Sequence, residues 1–183
     1  MATANGQVLW LTDGAEVVVR PIRPDDAPLL QAFVRRLSAR SRHFRFFVAL
    51  AELSATQLER FVNVDPAQGS ALVAVSNREE CTAIVAEARY ALTQESGNAE
   101  FAIAVADEFQ RRGLGTQLVK RLLATAWRRG VRRLFGEIKC DNQAMLGLAT
   151  RLGFRLRGSI QDQSIVIAST LPPTEPIGSM GSP

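Results

Sequence analysis

The sequence predicts one α/β domain on a mixed, mostly antiparallel sheet. Two observations carry this. Three β-rich runs follow one another between short polar turns, which is the pattern of an antiparallel meander. Beyond residue 105 the order becomes strand, helix, strand, helix, strand, which places a parallel pairing in that half. At 183 residues the chain is long enough for a sizeable single core.

The elements follow in order. Residues 8–23 read as a strand entering the domain, with Asp13-Gly14 as a turn and Glu16 to Arg20 strongly β-forming. Pro21 and Pro24 break the run. Asp25 and Asp26 are candidate caps for a helix whose Leu29, Leu30, Phe33, Val34 and Leu37 form one apolar stripe. Residues 38–50 are basic and aromatic. Ser54 caps a further helix carrying Leu58, Phe61 and Val62 inward. Residues 71–76, 82–92 and 99–105 are the meander strands, joined by turns at 77–80 and 94–98. Residues 115–129 form a long helix with Leu118, Leu122, Leu123 and Ala126 on one face, stopped by Gly130. Residues 134–138 are a strand, residues 142–152 a helix ending at Gly153, and residues 154–156 and 163–168 short terminal strands. The domain spans 8–170. Residues 171–183, rich in Pro, Gly and Ser, read as a flexible tail.

Composition narrows the function. No apolar run approaches the roughly 20 residues of a membrane helix. The first residues lack a signal pattern, so a cytoplasmic, non-membrane protein is expected. Two cysteines, Cys81 and Cys140, stand far apart, and His43 is the one histidine, so no zinc or redox spacing is present and no metal is expected. The net charge of +4 is mostly arginine and suits cofactor phosphates or an acidic protein surface as well as nucleic acid, which is the less favoured partner.

The informative segment is Gln110-Arg111-Arg112-Gly113-Leu114-Gly115-Thr116, between a strand and a helix. A helix N-terminus leaves N–H groups unpaired and carries partial positive charge. Glycine lets an anion approach the backbone closely, and successive amides form a concave anion site. Arg111 and Arg112 add charge, and a pyrophosphate is the ligand expected. Leu118 stands where the dinucleotide fingerprint would need its third glycine, and no Gly-Lys-Ser/Thr follows for a P-loop. A helix cap with tight packing is the alternative.

The strand, the Gln-x-x-Gly-x-Gly turn and the helix resemble the acetyl-CoA-binding motif of the GNAT acetyltransferase superfamily. Asn142-Gln143-Ala144-Met145, Leu148 and Leu152-Gly153-Phe154 resemble its second motif at the family's spacing. Upstream, Arg20-Pro21-Ile22-Arg23-Pro24-Asp25-Asp26, Ser41-Arg42, Arg45-Phe46-Phe47 and Ala71 to Val75 resemble the GNAT domain of Pat-type protein lysine acetyltransferases. The resemblance covers about residues 8–170. It implies a GNAT fold with helices on both faces of the sheet and a splayed fourth and fifth strand. The pantetheine arm of acetyl-CoA would pair near Ile103, Ala104 and Val105. The pyrophosphate would rest on Arg111 to Thr116, with Asn142 beside the pantetheine or acyl end. A protein substrate such as an acyl-CoA synthetase is implied. Monomer and homodimer are both compatible with the sequence.

A lysine amine with a pKa near 10.4 must lose a proton before it attacks, so a general base is needed. Glu100, in Ala99-Glu100-Phe101, matches the glutamate base of Pat-type enzymes. Glu87 and Glu137 stay open as rivals, since strand alternation could turn either into a cleft. Ala149 stands where many GNAT enzymes carry a tyrosine acid. Tyr90 reads as sheet packing, His43 as structural or at the rim, Cys140 as partly buried and inert, and the arginine and aromatic mix from Ser41 to Phe47 as the wall of the acceptor groove. A small-molecule N-acetyltransferase is the alternative activity, and a non-catalytic acyl-CoA sensor the alternative class.

Overall fold

The structure, a computed structural model, describes residues 6–78 and 81–173. The tail expected over 171–183 lies, beyond residue 173, outside the described residues, as does part of the turn at 77–80. Eight strands form one sheet in the order β1-β2-β3-β4-β5-β6-β8-β7. They are β1 (Gln7–Trp10), β2 (Glu16–Pro21), β3 (Gly69–Arg78), β4 (Cys81–Leu92), β5 (Asn98–Val105), β6 (Arg133–Lys139), β7 (Arg155–Gly158) and β8 (Ile165–Thr170). The single strand expected over 8–23 is in fact the hairpin β1–β2. Asp13 and Gly14 make its turn: Gly14 takes φ +80 and Asp13 accepts from the Ala15 amide at 3.2 Å.

β2 to β5 pair antiparallel, with a register shift between Ala74 and Val75 in β3. β4 is buried without a break from Ile84 to Ala88, so both faces of the sheet are covered. The helices are α1 (Ala27–Arg36), α2 (Ala39–Phe46), α3 (Ala55–Val62), α4 (Leu114–Arg128) and α5 (Gln143–Arg151). Ser38 caps α2, and Ser54 caps α3 in a reciprocal box with Gln57. Gly130, at φ +78, ends α4 as expected. Leu114, Leu118, Val119, Leu122 and Ala126 of α4 are buried against the meander.

Asp26 is not the side-chain cap its position suggests. Its carboxylate is buried and takes two 2.6 Å hydrogen bonds from Arg20 and one of 2.8 Å from the Arg23 amide. Burial pushes this carboxyl up, but the Arg20 and Arg23 bonds win and hold it below its ordinary value. The pair ties β2 to the start of α1. Among the described residues no helix is long and apolar enough to cross a membrane.

Candidate active site

The crossover helix α4 makes β5 parallel to β6, but only for Asn98–Arg133, Ala99–Leu134 and Glu100–Phe135. Beyond Glu100 the two strands part. Phe101 and Gly136 form the fork: a Cβ on Gly136 would lie 2.7 Å from the Phe101 ring and 2.9 Å from its carbonyl oxygen. The Phe101 ring packs on Phe154, with centroids 5.2 Å apart. From Phe101 to Val105, the β5 edge toward β6 lacks a ladder partner. A cavity of about 1100 Å³ opens there.

Strand alternation divides β5 between two sides of this cavity. Ile103 and Val105 turn toward α4, where both lie within 4 Å of a Cβ built on Gly115. Leu148 of α5 reaches the same point at 3.1 Å. Glu100, Ala102 and Ala104 turn the other way, toward Arg45 and the phenylalanines of α2. Glu100 lies on the cavity wall at the fork. Burial and the like charge of Glu137 push its carboxyl up, against the pull of Arg45.

The turn after β5 is the other end of the cavity. Arg111 has φ +58 and Gly113 φ +82, so left-handed residues punctuate the approach to α4. Such alternation suits an anion, and Gly113 meets it without a Cβ penalty. Gln110 is held by its amide, which donates to the Val105 carbonyl at 3.0 Å and to Ser41 at 3.2 Å. Asp107 accepts from the Ser38 amide at 2.9 Å and from the Ser38 and Ser41 hydroxyls at 2.7 and 2.8 Å. Burial opposes its charge, yet those donors keep its carboxyl below the ordinary value. Asp107 thereby ties the α2 N-terminus to the loop below β5.

Of the residues singled out from sequence, Glu100, Ile103, Ala104, Val105, Gln110, Arg111, Gly113, Gly115, Thr116 and Asn142 share this one cavity. Arg112 and Leu114 do not line it. Arg112 pairs with Asp13 of the β1–β2 turn at 2.9 Å and lies over the Phe109 ring, so its charge is not directed at the expected pyrophosphate. Leu114, the first residue of α4, is buried in the core. Asn142 lines the cavity, but its Oδ1 caps α5 by accepting from the Met145 amide at 3.2 Å.

The rival carboxylates separate. Glu137 lines the cavity. Glu87 does not: it is buried, with one oxygen paired to Arg45 and the other to Arg89. Burial works against its charge, but the two guanidinium groups outweigh it and hold its carboxyl low, which makes it a poor base. Ala149 is fully buried and Tyr90 sits in the sheet away from this cavity, so neither brings a hydroxyl to it. Cys140 is exposed rather than partly buried, and neither it nor His43 lines the cavity. Among the described residues no His, Cys, Asp and Glu group could hold a metal. Arg45 lines the cavity and belongs to the 41–47 stretch read from sequence as a groove wall; what that reading missed is its burial against Glu87. Its signal was Glu87, a carboxylate inside the otherwise apolar run Ile84 to Ala88, which requires a buried partner.

Residues 33–154 match the model of the acetyltransferase (GNAT) family. An acetyltransferase of Pseudomonas aeruginosa is 34% identical over 157 residues, covering 86% of this chain and 84% of that one. The structure superposes on the GNAT domain of S. lividans PAT with a TM-score of 0.82 and 28% identity, over 93% of this chain and 99% of that domain. An acetyltransferase of Salmonella typhimurium named yncA, solved with its cofactor acetyl-CoA, shares the fold at a TM-score of 0.68 and 17% identity, over 85% of this chain and 93% of that one. The forked strands, the glycine turn and these matches together establish that the chain belongs to the GNAT family of acetyltransferases.

Proposed function

We propose that this acetyltransferase moves the acetyl group of acetyl-CoA directly onto the side-chain amine of a protein lysine, with Glu100 as general base. The observation that carries this reading is one cavity lined by Glu100 at the strand fork and by Gln110, Arg111, Gly113, Gly115 and Thr116 of the glycine turn. The unladdered edge of β5 near Ile103 to Val105 suits the amide groups of a pantetheine arm. The turn from Arg111 to Thr116 suits the pyrophosphate, with Arg111 rather than Arg112 adding charge from the wall. Asn142 contributes by fixing the α5 N-terminus beside the cavity.

Glu100 takes a proton from the ammonium, directly or through water. The neutral nitrogen attacks the thioester carbonyl, the C–N bond forms, the nitrogen releases its second proton to solvent and the C–S bond breaks. The developing oxyanion requires a nearby N–H donor, which the free β5 edge can offer. No tyrosine is at hand to protonate the leaving thiolate. A thiol pKa near 8.5 lets solvent do so.

The acceptor side carries Arg40, Phe44, Arg45, Phe46 and Phe47, a basic and aromatic wall that favours an acidic protein surface around the target amine. The Pat-type resemblance makes an acyl-CoA synthetase the first acceptor to test. The experiment is mass spectrometry after incubation with acetyl-CoA and such a synthetase, with Glu100→Gln as control. Acetylation of one lysine, lost in the variant, supports the reading. Absence of transfer to any protein, with turnover on an amine panel, replaces the protein lysine by a small amine.

A further inference from the structure

One buried ionic cluster, built around the wall residue Arg45, takes no part in the proton and acetyl transfer above. Arg45 donates to Glu87 Oε2 at 3.2 Å, and Arg89 donates to Glu87 Oε1. The side chains of Arg45, Glu87 and Arg89 are only 9%, 3% and 17% exposed. Two cations share one carboxylate, so the cluster holds surplus positive charge, and apolar residues would fill the same space at less cost. The guanidinium of Arg45 is held firmly. It lies 5.0 Å over the Phe46 ring and 5.5 Å over Phe61, while Arg89 stacks on Phe61 at 3.9 Å and donates to its carbonyl at 3.0 Å.

The register shows what this cluster faces. Glu87 pairs with Ala104 and Arg89 with Ala102, so the cluster shares the face of β5 that carries Glu100. The two alanines leave room above the strand, and Arg45 lines the cavity with Glu100. Yet the Nε–H of Arg45 is buried and has no hydrogen-bond partner. Buried donors are normally paired, so an orphan on a side chain that lines the cavity leaves a place for a ligand oxygen. The other charged groups on this wall are Arg40, Asp107, Arg111, Glu137 and Arg151. Of these, Asp107 is occupied by Ser38 and Ser41.

We propose that Arg45 recognises the acceptor: its Nε–H and fixed charge bind an oxygen of the amine substrate beside Glu100, with Glu87 and Arg89 as positioning residues. The oxygen is an amide carbonyl, as in a peptide lysine, or a carboxylate, as in a free amino acid. This rests on the amine-acetylation reading and adds an element that selects the acceptor.

The test compares three probes with the same kind of primary amine: Nα-acetyl-lysine N-methylamide, Nα-acetyl-lysine and n-pentylamine. The first carries amide carbonyls, the second adds a carboxylate, and the third has no oxygen. Values of kcat/KM are measured for wild type, Arg45→Lys and Glu87→Gln. Lysine keeps the charge but loses the planar fork and the Nε–H. The expected result is that the preference for an oxygen-bearing probe over n-pentylamine falls at least tenfold in Arg45→Lys and by less in Glu87→Gln. A fall for both oxygen-bearing probes identifies the carbonyl, and a fall for Nα-acetyl-lysine alone identifies the carboxylate. Unchanged preferences in both variants overturn the inference. Acetyl-CoA binding checks that each variant folds, and Glu87→Gln carries the test if Arg45→Lys does not. Should the wild type acetylate none of the probes, calorimetric titration into the CoA-loaded protein decides. Arg45-dependent affinity for the oxygen-bearing probes upholds the inference while the acetylation reading fails. Equal affinity, or none, refutes it.

Discussion

Replacing Glu100 by Gln keeps the side chain's size and removes its charge and basicity, with two consequences of opposite sign. In catalysis, a positioned general base contributes about 10²–10⁴-fold. At about 1.36 kcal/mol per tenfold, the variant loses about 2.7–5.4 kcal/mol of transition-state stabilisation. The wild-type kcat/KM climbs with pH as Glu100 loses its proton, around a midpoint above the ordinary 4.5, because burial and Glu137 outweigh Arg45. That limb vanishes in the variant. In stability the effect reverses. A carboxyl whose folded pKa is raised contributes stability that is present below the unfolded pKa and lost as pH rises through the folded one. At pH 7 the ionised Glu100 is therefore a net cost, and Glu100→Gln melts at a higher temperature than wild type. The advantage shrinks on acidification. The assay pairs a kcat/KM profile on Nα-acetyl-lysine N-methylamide, whose side-chain amine is free, with thermal melts at pH 7 and near pH 4. Activity within tenfold of wild type with the acid limb intact refutes the base assignment. A lower melting temperature at pH 7 refutes the electrostatic account.

Three further outcomes are expected. Gly113→Ala forces a side chain into φ +82 and costs about 1–2 kcal/mol. It lowers the melting temperature by about 2–8 °C, and the KM for acetyl-CoA rises as the turn shifts. Asp26→Asn breaks the buried pair with Arg20 and costs about 3–5 kcal/mol by urea titration. The Asp26 carboxyl is held below 3.8 in the fold, so its contribution is present above the unfolded pKa and lost as pH falls through the folded one, and the gap between variant and wild type closes in acid. Asp107→Ala releases Ser38 and Ser41 and loosens α2, so the KM for the acceptor rises more than that for acetyl-CoA in steady-state kinetics.

What could be read from the sequence was local, and what could not be read depended on competition between distant groups. Gly113 and Gly115 announce a tight anion turn because a missing Cβ is a property of the residue itself. Arg111 and Arg112 look alike in sequence. Their roles divide only because Asp13, a hundred residues away, binds one of them and leaves the other on the cavity wall. Asp26 sits where a helix cap belongs, but Arg20 outbids the helix amides for its carboxylate. Alternation narrowed the glutamates to those able to face a cleft, without saying where the ladder between β5 and β6 ends. That end is set by Phe101 against Gly136, a contact between strands separated by the whole of α4. The same logic explains Glu87. On a central strand it had to be either a catalytic group or half of a buried pair, and two arginines, one from α2 and one from its own strand, settle it as a pair. Glu100, the carboxylate proposed as the base, is instead placed by the ladder itself, at the point where two strands stop pairing.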